Sequence, residues 1–262
     1  MLSPAEFHAL HRPGAPIVLP NAWDLASARW LHAAGHTAIG TTSLGVAFGA
    51  GKRDGSGETR DDTFELARRI SAAGIAVTVD LEAGFSDDPD AVGRFAGRLA
   101  QLGVVGVNIE DSDASGRLVD ARDAAAKVAA IAAAAPGLYL NARTDSFWIA
   151  SAADAEERHA ETISRARQYL DAGASGIFVP GVLSPPAVSA LVRDIPAPLN
   201  VLVQPEIGVP ELTRLGVVRV STGSLLFRMS LGAISAAAQE IAQGTFAPTP
   251  GTPGYDEVAG LD

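Results

Sequence analysis

Short apolar segments recur along this chain at regular intervals, and segments with a helical period of apolar and polar positions lie between them. The apolar segments are three to six residues long and rich in Val, Ile, Leu and Ala, which is typical of strands buried on both faces of a parallel sheet. They predict eight strands, at residues 17–19, 38–42, 76–81, 105–109, 138–142, 176–179, 200–203 and 218–221.

The segments between the strands predict helices, and several of them end at a glycine, a residue that commonly terminates helices. The clearest lie at residues 24–34, 63–73, 90–102, 121–135 and 154–172. A strand followed by a helix, repeated eight times in 262 residues, predicts an α/β fold of the (β/α)8 TIM-barrel type. A doubly wound open sheet is the alternative, but it usually has fewer units, and no Gly-x-Gly-x-x-Gly follows the first strand.

The two ends of the chain differ from the repeating part. Ser3-Pro4-Ala5-Glu6 has the form of a capping box with proline at the first helical position, so we expect a short N-terminal helix. The last helix is expected at about residues 224–243, and the Pro- and Gly-rich tail after it is expected to be extended or disordered. The sequence therefore predicts one barrel domain, residues 1–244, and a C-terminal tail, residues 245–262.

Two carboxylates follow the third predicted strand. Side chains alternate faces along a strand, so Asp80 and Glu82 point the same way if the strand continues through them. Like charges on one face of an apolar strand repel each other and lose hydration. A divalent cation such as Mg²⁺, which prefers oxygen ligands, would remove both problems. Solvated carboxylates in a loop are the alternative.

Polar residues also fall at the ends of other predicted strands, the edge at which barrel active sites lie. Glu110 is a third candidate metal ligand, and its neighbour Asp111 faces away from it if the strand stays regular. Arg143 supplies the opposite charge, and a guanidinium fits a carboxylate or phosphate with two hydrogen bonds. An internal salt bridge from Arg143 to Asp145 or Glu110 is the alternative.

A glycine-rich segment, residues 45–55, follows the second predicted strand. Ser43 and the backbone N–H groups of Leu44 and Gly45 are candidates for holding an anionic group, and a flexible connector is the alternative. The histidines fall on predicted helices or at their ends, and we interpret all of them as structural or surface residues: His8, His11, His32, His36 and His159.

Composition excludes several classes of function. The formal net charge is −10 without a basic cluster, which argues against nucleic acid and anionic membranes as partners. The chain has no cysteine, which excludes disulfides, thiolate metal sites and a cysteine nucleophile or acid. We see no signal peptide and no uninterrupted run of about 18 apolar residues, so we expect a soluble cytoplasmic protein.

Taken in order, the strand-end motifs resemble those of the isocitrate lyase/phosphoenolpyruvate mutase superfamily, from about Phe7 to Gly244. Each motif is weak alone, but seven occur in order at the spacing of barrel strands. They are Leu19-Pro20-Asn21-Ala22-Trp23-Asp24, Thr42-Ser43-Leu44-Gly45, Lys52-Arg53-Asp54, Asp80-Leu81-Glu82-Ala83-Gly84-Phe85, Ile109-Glu110-Asp111, Ala142-Arg143-Thr144-Asp145 and Pro198-Leu199-Asn200-Val201.

The resemblance implies a barrel whose last helix is swapped with a neighbouring subunit, in a homodimer or homotetramer. It implies Mg²⁺, or Mn²⁺ in its place, near Asp80, Glu82 and Glu110, partly through water. It also implies a small 2-oxo or 2-hydroxy acid as substrate, with Arg143 stabilising an enolate-like intermediate. The catalytic candidates are then Arg143, Asp54 and Glu110, and the substrate-binding candidates are Trp23, Ser43, Leu44, Gly45, Asn200 and Arg117.

Departures from the superfamily pattern bear on the reaction. The acidic pair is Asp80-Leu81-Glu82, whereas the usual pair is Asp-x-Asp. The cysteine-bearing loop of isocitrate and methylisocitrate lyases is missing, which argues against those two activities. The loop that gates phosphoenolpyruvate mutases carries lysine and asparagine, whereas residues 112–118 carry Arg117 as their only cation.

We therefore expect a metal-dependent C–C lyase, such as an oxaloacetate decarboxylase, because water can protonate the enolate after CO₂ leaves. P–C chemistry, as in phosphoenolpyruvate/phosphonopyruvate mutase or phosphonopyruvate hydrolase, is the alternative among enzymes. Ser221-Thr222-Gly223-Ser224 would also suit the phosphate cradle of a sugar-phosphate or flavin barrel. A barrel that serves as a non-catalytic binding scaffold is a further alternative.

Overall fold

The computed structural model describes residues 2–149, 154–245, 247–248 and 250–261. In these residues nine parallel strands form a single sheet, and helices surround it. The strands are β1 Ile17–Leu19, β2 Asn21–Ala22, β3 Ile39–Thr41, β4 Val77–Asp80, β5 Gly106–Glu110, β6 Tyr139–Arg143, β7 Gly176–Val179, β8 Leu199–Leu202 and β9 Arg219–Ser221. The helices are α1 Pro4–Ala9, α2 Leu25–Ala33, α3 Ser43–Gly49, α4 Arg60–Ala72, α5 Pro89–Gln101, α6 Ala121–Ala134, α7 Ala155–Asp171, α8 Pro185–Asp194, α9 Val209–Leu215, α10 Leu225–Ala242 and α11 Tyr255–Ala259.

The sheet curls into a barrel because its two outermost strands are consecutive in the chain. β1 pairs with β9 and β2 pairs with β3, and only Pro20 separates β1 from β2. Proline has no N–H to donate to a ladder, but the Pro20 carbonyl still accepts a hydrogen bond from Gly40 N at 2.8 Å. β1 and β2 together therefore count as one strand of an eight-stranded barrel, and the predicted TIM barrel is confirmed.

Three local features differ from the sequence-based expectations. The first predicted strand continues beyond Pro20 as β2. The glycine-rich segment after the second predicted strand begins as helix α3, because Gly45, Val46 and Ala47 are buried against the barrel. The tail contains the short helix α11, which Glu257 caps through a hydrogen bond from Gly254 N to its carboxylate.

The strand register has the stagger of a TIM barrel. The paired residues can be traced once around the barrel, starting from Asp80 on β4. The trace passes through Asn108, Asn141 and Gly176 and then through positions 198, 217, 15 and 34. It returns to β4 at position 72, eight residues before its start. Each strand is therefore offset by about one residue from the next, so that inward side chains from alternate strands share a height in the barrel.

Helix α1 covers the end of the barrel opposite the strand C-termini. Phe7 is fully buried and meets the ring of Tyr139 edge-on at 5.7 Å. His11 stacks on the same tyrosine at 3.7 Å, and its Nδ1 lies 2.9 Å from the Phe7 carbonyl oxygen. This closed end leaves the opposite rim for chemistry.

Helix α10 follows the last strand and is mostly exposed. Phe227 is its buried residue, whereas Met229, Ile234 and Ile241 are each about 60% exposed. An 18-residue helix with apolar side chains in solvent is unusual for a monomer. Among the described residues, no helix has both the length and the apolar character needed to cross a bilayer.

Candidate active site

An arginine held between two carboxylates lies at the C-terminal ends of β5 and β6. Arg143 Nη1 lies 2.6 Å from Glu110 Oε2, its register partner on the neighbouring strand. Its Nε and Nη2 donate to the two carboxylate oxygens of Asp145 at 2.6 and 3.1 Å. The internal salt bridge that the sequence left as an alternative is therefore present, and it fixes the plane of the guanidinium.

Asp145 is fully buried, and Glu110 and Arg143 are largely buried, with side chains 13% and 17% exposed. Desolvation raises the pKa of Glu110 to about 8, although the neighbouring Arg143 favours the charged carboxylate. Burial alone would lower the pKa of Arg143, but Glu110 and Asp145 outweigh it and raise that pKa. Carboxylates outnumber the guanidinium here, so the cluster is deficient in positive charge.

Asp80 ends β4 beside this cluster. Its backbone N–H donates to Thr41 Oγ1 at 2.9 Å, and Ser43 N lies 3.5 Å from its Oδ2. Burial raises the pKa of Asp80, Arg143 opposes that rise, and Asp54 adds to it. Asp54 itself is exposed and therefore belongs to the mouth of the site.

Glu82 does not continue the strand, so the expectation that it shares a regular strand face with Asp80 is wrong. β4 ends at Asp80, and Glu82 has a φ of 49°, in the left-handed region. Its buried carboxylate accepts hydrogen bonds from the Thr59 hydroxyl and from Gly57 N. Glu82 thus holds the segment before α4 in place, and both of its carboxylate oxygens are engaged.

Asp111 faces away from Glu110, as strand alternation predicts. Its Oδ1 accepts a hydrogen bond from Asp145 N at 2.8 Å. Its Oδ2 accepts one from the Tyr169 hydroxyl at 2.7 Å and one from Arg165 Nη1 at 3.2 Å. Asp111, Tyr169 and Arg165 therefore support Asp145, which in turn supports Arg143.

The sequence did not predict that Asp111, Tyr169 and Arg165 form a group that supports Asp145. Strand alternation is the one signal for Asp111, since a carboxylate directly after β5 that turns away from the site into the protein needs a buried partner. Ser112 belongs to the same group, because its hydroxyl donates to Asp145 Oδ2 at 2.5 Å. Nothing in the local sequence points to Tyr169, which lies 58 positions beyond Asp111.

The candidate anion cradle lies in the first turn of α3. Thr42 caps this helix without a side-chain hydrogen bond, and the first N–H groups of a helix have no partner inside it. Gly45 is required for packing, because a Cβ there would lie 2.4 Å from Trp23 Cβ. Trp23 is half-buried and meets the ring of Phe227 from α10 at 5.3 Å. Ser43, Leu44, Gly45 and Trp23 thus lie together beside Asp80.

A family model described as phosphoenolpyruvate phosphomutase matches residues 7–242. The chain belongs to this family. The predicted resemblance is thereby confirmed over almost the same span.

Relatives of this family member include an uncharacterized protein of Mycobacterium tuberculosis (strain H37Rv), 44% identical over 243 residues that cover 93% of this chain and 91% of that protein. The 2-methylisocitrate lyase of Bacillus subtilis (strain 168) is 30% identical over 196 residues, 71% of this chain and 62% of that enzyme.

Solved structures of the superfamily share the fold. A protein of Burkholderia cenocepacia J2315 has a TM-score of 0.85 at 38% identity, covering 91% of this chain and 100% of that one. A phosphonopyruvate hydrolase in complex with oxalate and Mg²⁺ also has a TM-score of 0.85, covering 100% of this chain and 95% of that one. Its 20% identity shows likeness of fold only.

Two substrate-binding candidates of this family member make no described contact with the acidic cluster. Arg117 is 79% exposed in its side chain and is held by Asp113 and Ser115 in its own loop. Asn200 is buried inside the barrel, where Ser221 Oγ donates to its Oδ1 at 3.1 Å. The described structure does not bring either residue to Arg143.

The predicted ligands Asp80, Glu82 and Glu110 do not form a ready metal cage. Within the described ranges, no three acidic or histidine side chains converge closely enough to enclose an ion. The oxygen donors nevertheless suit a hard cation, and burial of Asp80 and Glu110 disfavours their charge unless a cation or proton joins them. Mg²⁺ usually keeps several waters and needs only one or two carboxylates. The residues present therefore fit this ion.

Proposed function

We propose that this protein is a Mg²⁺-dependent lyase that cleaves a C–C bond in a small 2-oxo or 2-hydroxy carboxylic acid, as in oxaloacetate decarboxylation. The observation that carries the proposal is the fixed Arg143 beside the largely buried carboxylates Asp80 and Glu110. A 2-oxo acid that loses a carbon substituent leaves an enolate, and this site places a permanent cation at hand to stabilise that negative charge.

Arg143 retains donors for this role. A guanidinium has five N–H donors, and Glu110 and Asp145 engage three of them in the described contacts. Two N–H groups remain for a substrate oxygen. The bidentate contact with Asp145 holds these two in a fixed plane, which lowers the reorganisation that stabilising an enolate would require.

Asp80 would hold the metal together with Glu110, Glu82 and Asp54, and Mn²⁺ would suit the same oxygen donors. When bound, it would supply a Lewis acid for the 2-oxo carboxylate. The complex of phosphonopyruvate hydrolase with oxalate and Mg²⁺ supports this proposal, since oxalate is a planar dicarboxylate close in size to an enolate of pyruvate. The substrate carboxylate would lie against the first turn of α3, at Ser43, Leu44 and Gly45.

Decarboxylation suits a chain without cysteine. The C–C bonding electrons pass into the enolate as CO₂ leaves, and a water proton then converts the enolate to pyruvate. A cleavage that releases a larger carbanion depends more on a positioned acid, and the described site offers no thiol for it.

The test is pyruvate release from oxaloacetate and from phosphonopyruvate, each with Mg²⁺ and with a chelator. We expect metal-dependent turnover of oxaloacetate above the free-metal background, and a loss of at least about 100-fold in kcat in Asp80→Asn and Arg143→Gln. Asp123→Asn and Arg122→Gln, exposed on α6, are the matched charge controls and should leave kcat unchanged. Full activity in Arg143→Gln would contradict the proposed role.

P–C chemistry is the second candidate, because the matching family model is that of a phosphomutase. Turnover of phosphonopyruvate alone would select it. The contact between Ser112 and Leu118 closes the loop that carries Arg117, and the loop would have to turn inward to serve a phosphoryl group. Arg117→Ala would then lower phosphonopyruvate turnover, whereas oxaloacetate turnover would not depend on this residue.

We also propose that the protein is a homodimer or homotetramer in which a second copy covers α10. The exposed apolar side chains of this helix support the proposal, and Trp23, which contacts Phe227, links α10 to the candidate site. The last helix would then be the one exchanged between subunits.

A further inference from the structure

A fully buried arginine lies inside the barrel without a carboxylate partner among the described residues. Arg219, on β9, is 1% exposed. Its Nη2 donates to Asn108 Oδ1 at 3.2 Å and its Nε donates to Ser221 Oγ at 3.2 Å, while Nη1 meets no described protein acceptor. A buried charge is costly unless its donors are satisfied, so the two N–H groups of Nη1 indicate a further occupant.

The donors and acceptors around Arg219 are fixed by its chemistry. A guanidinium only donates, so Asn108 Oδ1 is an acceptor, and the Asn141 group bonded to it at 2.9 Å must be Nδ2. Ser221 Oγ accepts from Arg219 and therefore directs its hydrogen to Asn200 Oδ1. These assignments leave Asn141 Oδ1 as a free acceptor and Asn200 Nδ2 as a free donor.

The stagger of the barrel places these free groups at one height. With an offset of one residue per strand, the inward residues of β1, β4, β6 and β8 at this level are Leu19, Thr78, Asn141 and Asn200. The hydroxyl of Thr78 is also buried without a described partner. Arg219 comes from the layer just below and reaches Asn108 in the layer just above.

We infer that this layer is a built water site: one or two water molecules bind Arg219 Nη1, Asn200 Nδ2, Asn141 Oδ1 and Thr78 Oγ1. A buried water makes two to four hydrogen bonds and both donates and accepts, which matches a mixed set of free groups. A small anion accepts only, and the Asn141 carbonyl oxygen would repel it. In this proposal Asn200 binds water inside the barrel and not the substrate. The water also hydrates the charged guanidinium of Arg219, which lies beneath the acidic cluster.

The first test removes one hydrogen-bonding group of the site, the Thr78 hydroxyl, with a nearly isosteric substitution. If Thr78 binds water, Thr78→Val leaves that water short of a partner, and Tm falls by about 2–4 °C. If the space is dry, the same change removes an unpaired buried hydroxyl, and Tm rises. Ser71→Ala, which removes an unpaired buried hydroxyl from α4 outside the barrel, is the matched control. A fall confined to Thr78→Val supports the site, whereas a rise, no change or an equal fall in both overturns it.

The second test separates water from an anion. Crystals grown in sodium bromide, with data collected above the bromine absorption edge, should show density within hydrogen-bond distance of Arg219 Nη1 without an anomalous peak. Tm should also be equal in chloride and in gluconate at the same ionic strength. An anomalous peak at Nη1, or stabilisation specific to chloride, would overturn the assignment to water.

Discussion

Two adjacent carboxylates at the end of β5, Glu110 and Asp111, have different roles. Glu110 contacts Arg143 in the site. Asp111 faces the other way, and its carboxylate accepts a hydrogen bond from the backbone N–H of Asp145. Asp111→Ala would remove the more deeply buried of the two carboxylates that pair with Arg165, the other being Glu161. It would also leave Asp145 N and the Tyr169 hydroxyl without their acceptor. We expect the free energy of unfolding to fall by about 3–5 kcal/mol, measured by urea denaturation.

Asp113 provides the control for this prediction. It lies two residues further along, and its pair with Arg117 is in solvent. Asp113→Ala removes only exposed contacts, to Arg117 and to the Ser115 and Arg117 N–H groups of the same loop, so it should lower the free energy of unfolding by no more than about 1 kcal/mol. Equal midpoints for the two variants would contradict the supporting role of Asp111.

His11 makes stability depend on pH at the closed end of the barrel. Burial lowers the pKa of His11 to about 3, and the charge of Arg219 acts in the same direction. Below about pH 6.5 the unfolded chain binds a proton at this histidine, whereas the folded protein leaves it neutral. The contribution of His11 to the free energy of unfolding is therefore complete above pH 6.5 and is lost as the pH falls towards 3.

His11→Phe keeps a ring on Tyr139 and removes this titration. Between pH 6.5 and 5 the wild type should lose about 2 kcal/mol relative to the variant, at about 1.4 kcal/mol per pH unit. Urea denaturation of both proteins at the two pH values isolates His11, because the buried carboxylates titrate alike in each. Parallel pH profiles would show that His11 is not the source.

At the scale of elements, the turn after β4 is held by a lysine from α6. Lys127 Nζ donates to the Ala83 carbonyl at 2.9 Å. This turn contains two non-glycine residues with positive φ, Glu82 at 49° and Phe85 at 60°, which cost about 1–3 kcal/mol each. The charge-assisted bond from Lys127 offsets part of that strain.

Lys127→Met should therefore loosen the turn. We expect amide hydrogen exchange to accelerate at residues 82–85 by about tenfold or more, because a charged hydrogen bond contributes about 1.5–3 kcal/mol. Arg122→Met, on an exposed position of the same helix, should leave exchange at the turn unchanged. Unaltered exchange in Lys127→Met would mean that other contacts hold the turn.

The repeating elements could be predicted because their periods are local. Buried strands and amphipathic helices are encoded within a few residues, and the observed boundaries lie within a few residues of the predicted ones. Helix α3 was not predicted, because its glycines weaken the local helical signal and burial against the barrel overrides it. The left-handed Glu82 depends on Thr59 and Gly57, which lie more than 20 positions away.

The candidate site was predictable in its residue types and less so in its contacts. Arg143, Glu110 and Asp80 could be placed at one rim because parallel strands end together. The support from Tyr169 and Arg165 depends on tertiary contacts more than 50 positions apart. The prediction for Asn200 followed a motif at a strand end, but the strand register places this residue inside the barrel.

At the scale of the whole molecule, the distribution of apolar surface points to association. The barrel buries its outer strand faces under helices, whereas α10 leaves Met229, Ile234 and Ile241 in solvent. A monomer with this surface would be prone to non-specific association, and a symmetric partner would bury it specifically. Subunit exchange of α10 would also bring a neighbour close to Trp23, beside the candidate site.

Ile234→Glu tests this proposal, because a charge at the centre of the exposed face cannot be buried without a partner. Light scattering should show a multiple of the 26.9 kDa chain mass for the wild type and a shift towards the monomer for the variant. Gln239→Glu, an exposed polar position on the same helix, should leave the mass unchanged. A monomeric wild type would refute the association. An unchanged oligomer in Ile234→Glu would locate the interface elsewhere, and the exposed face of α10 would then need another explanation.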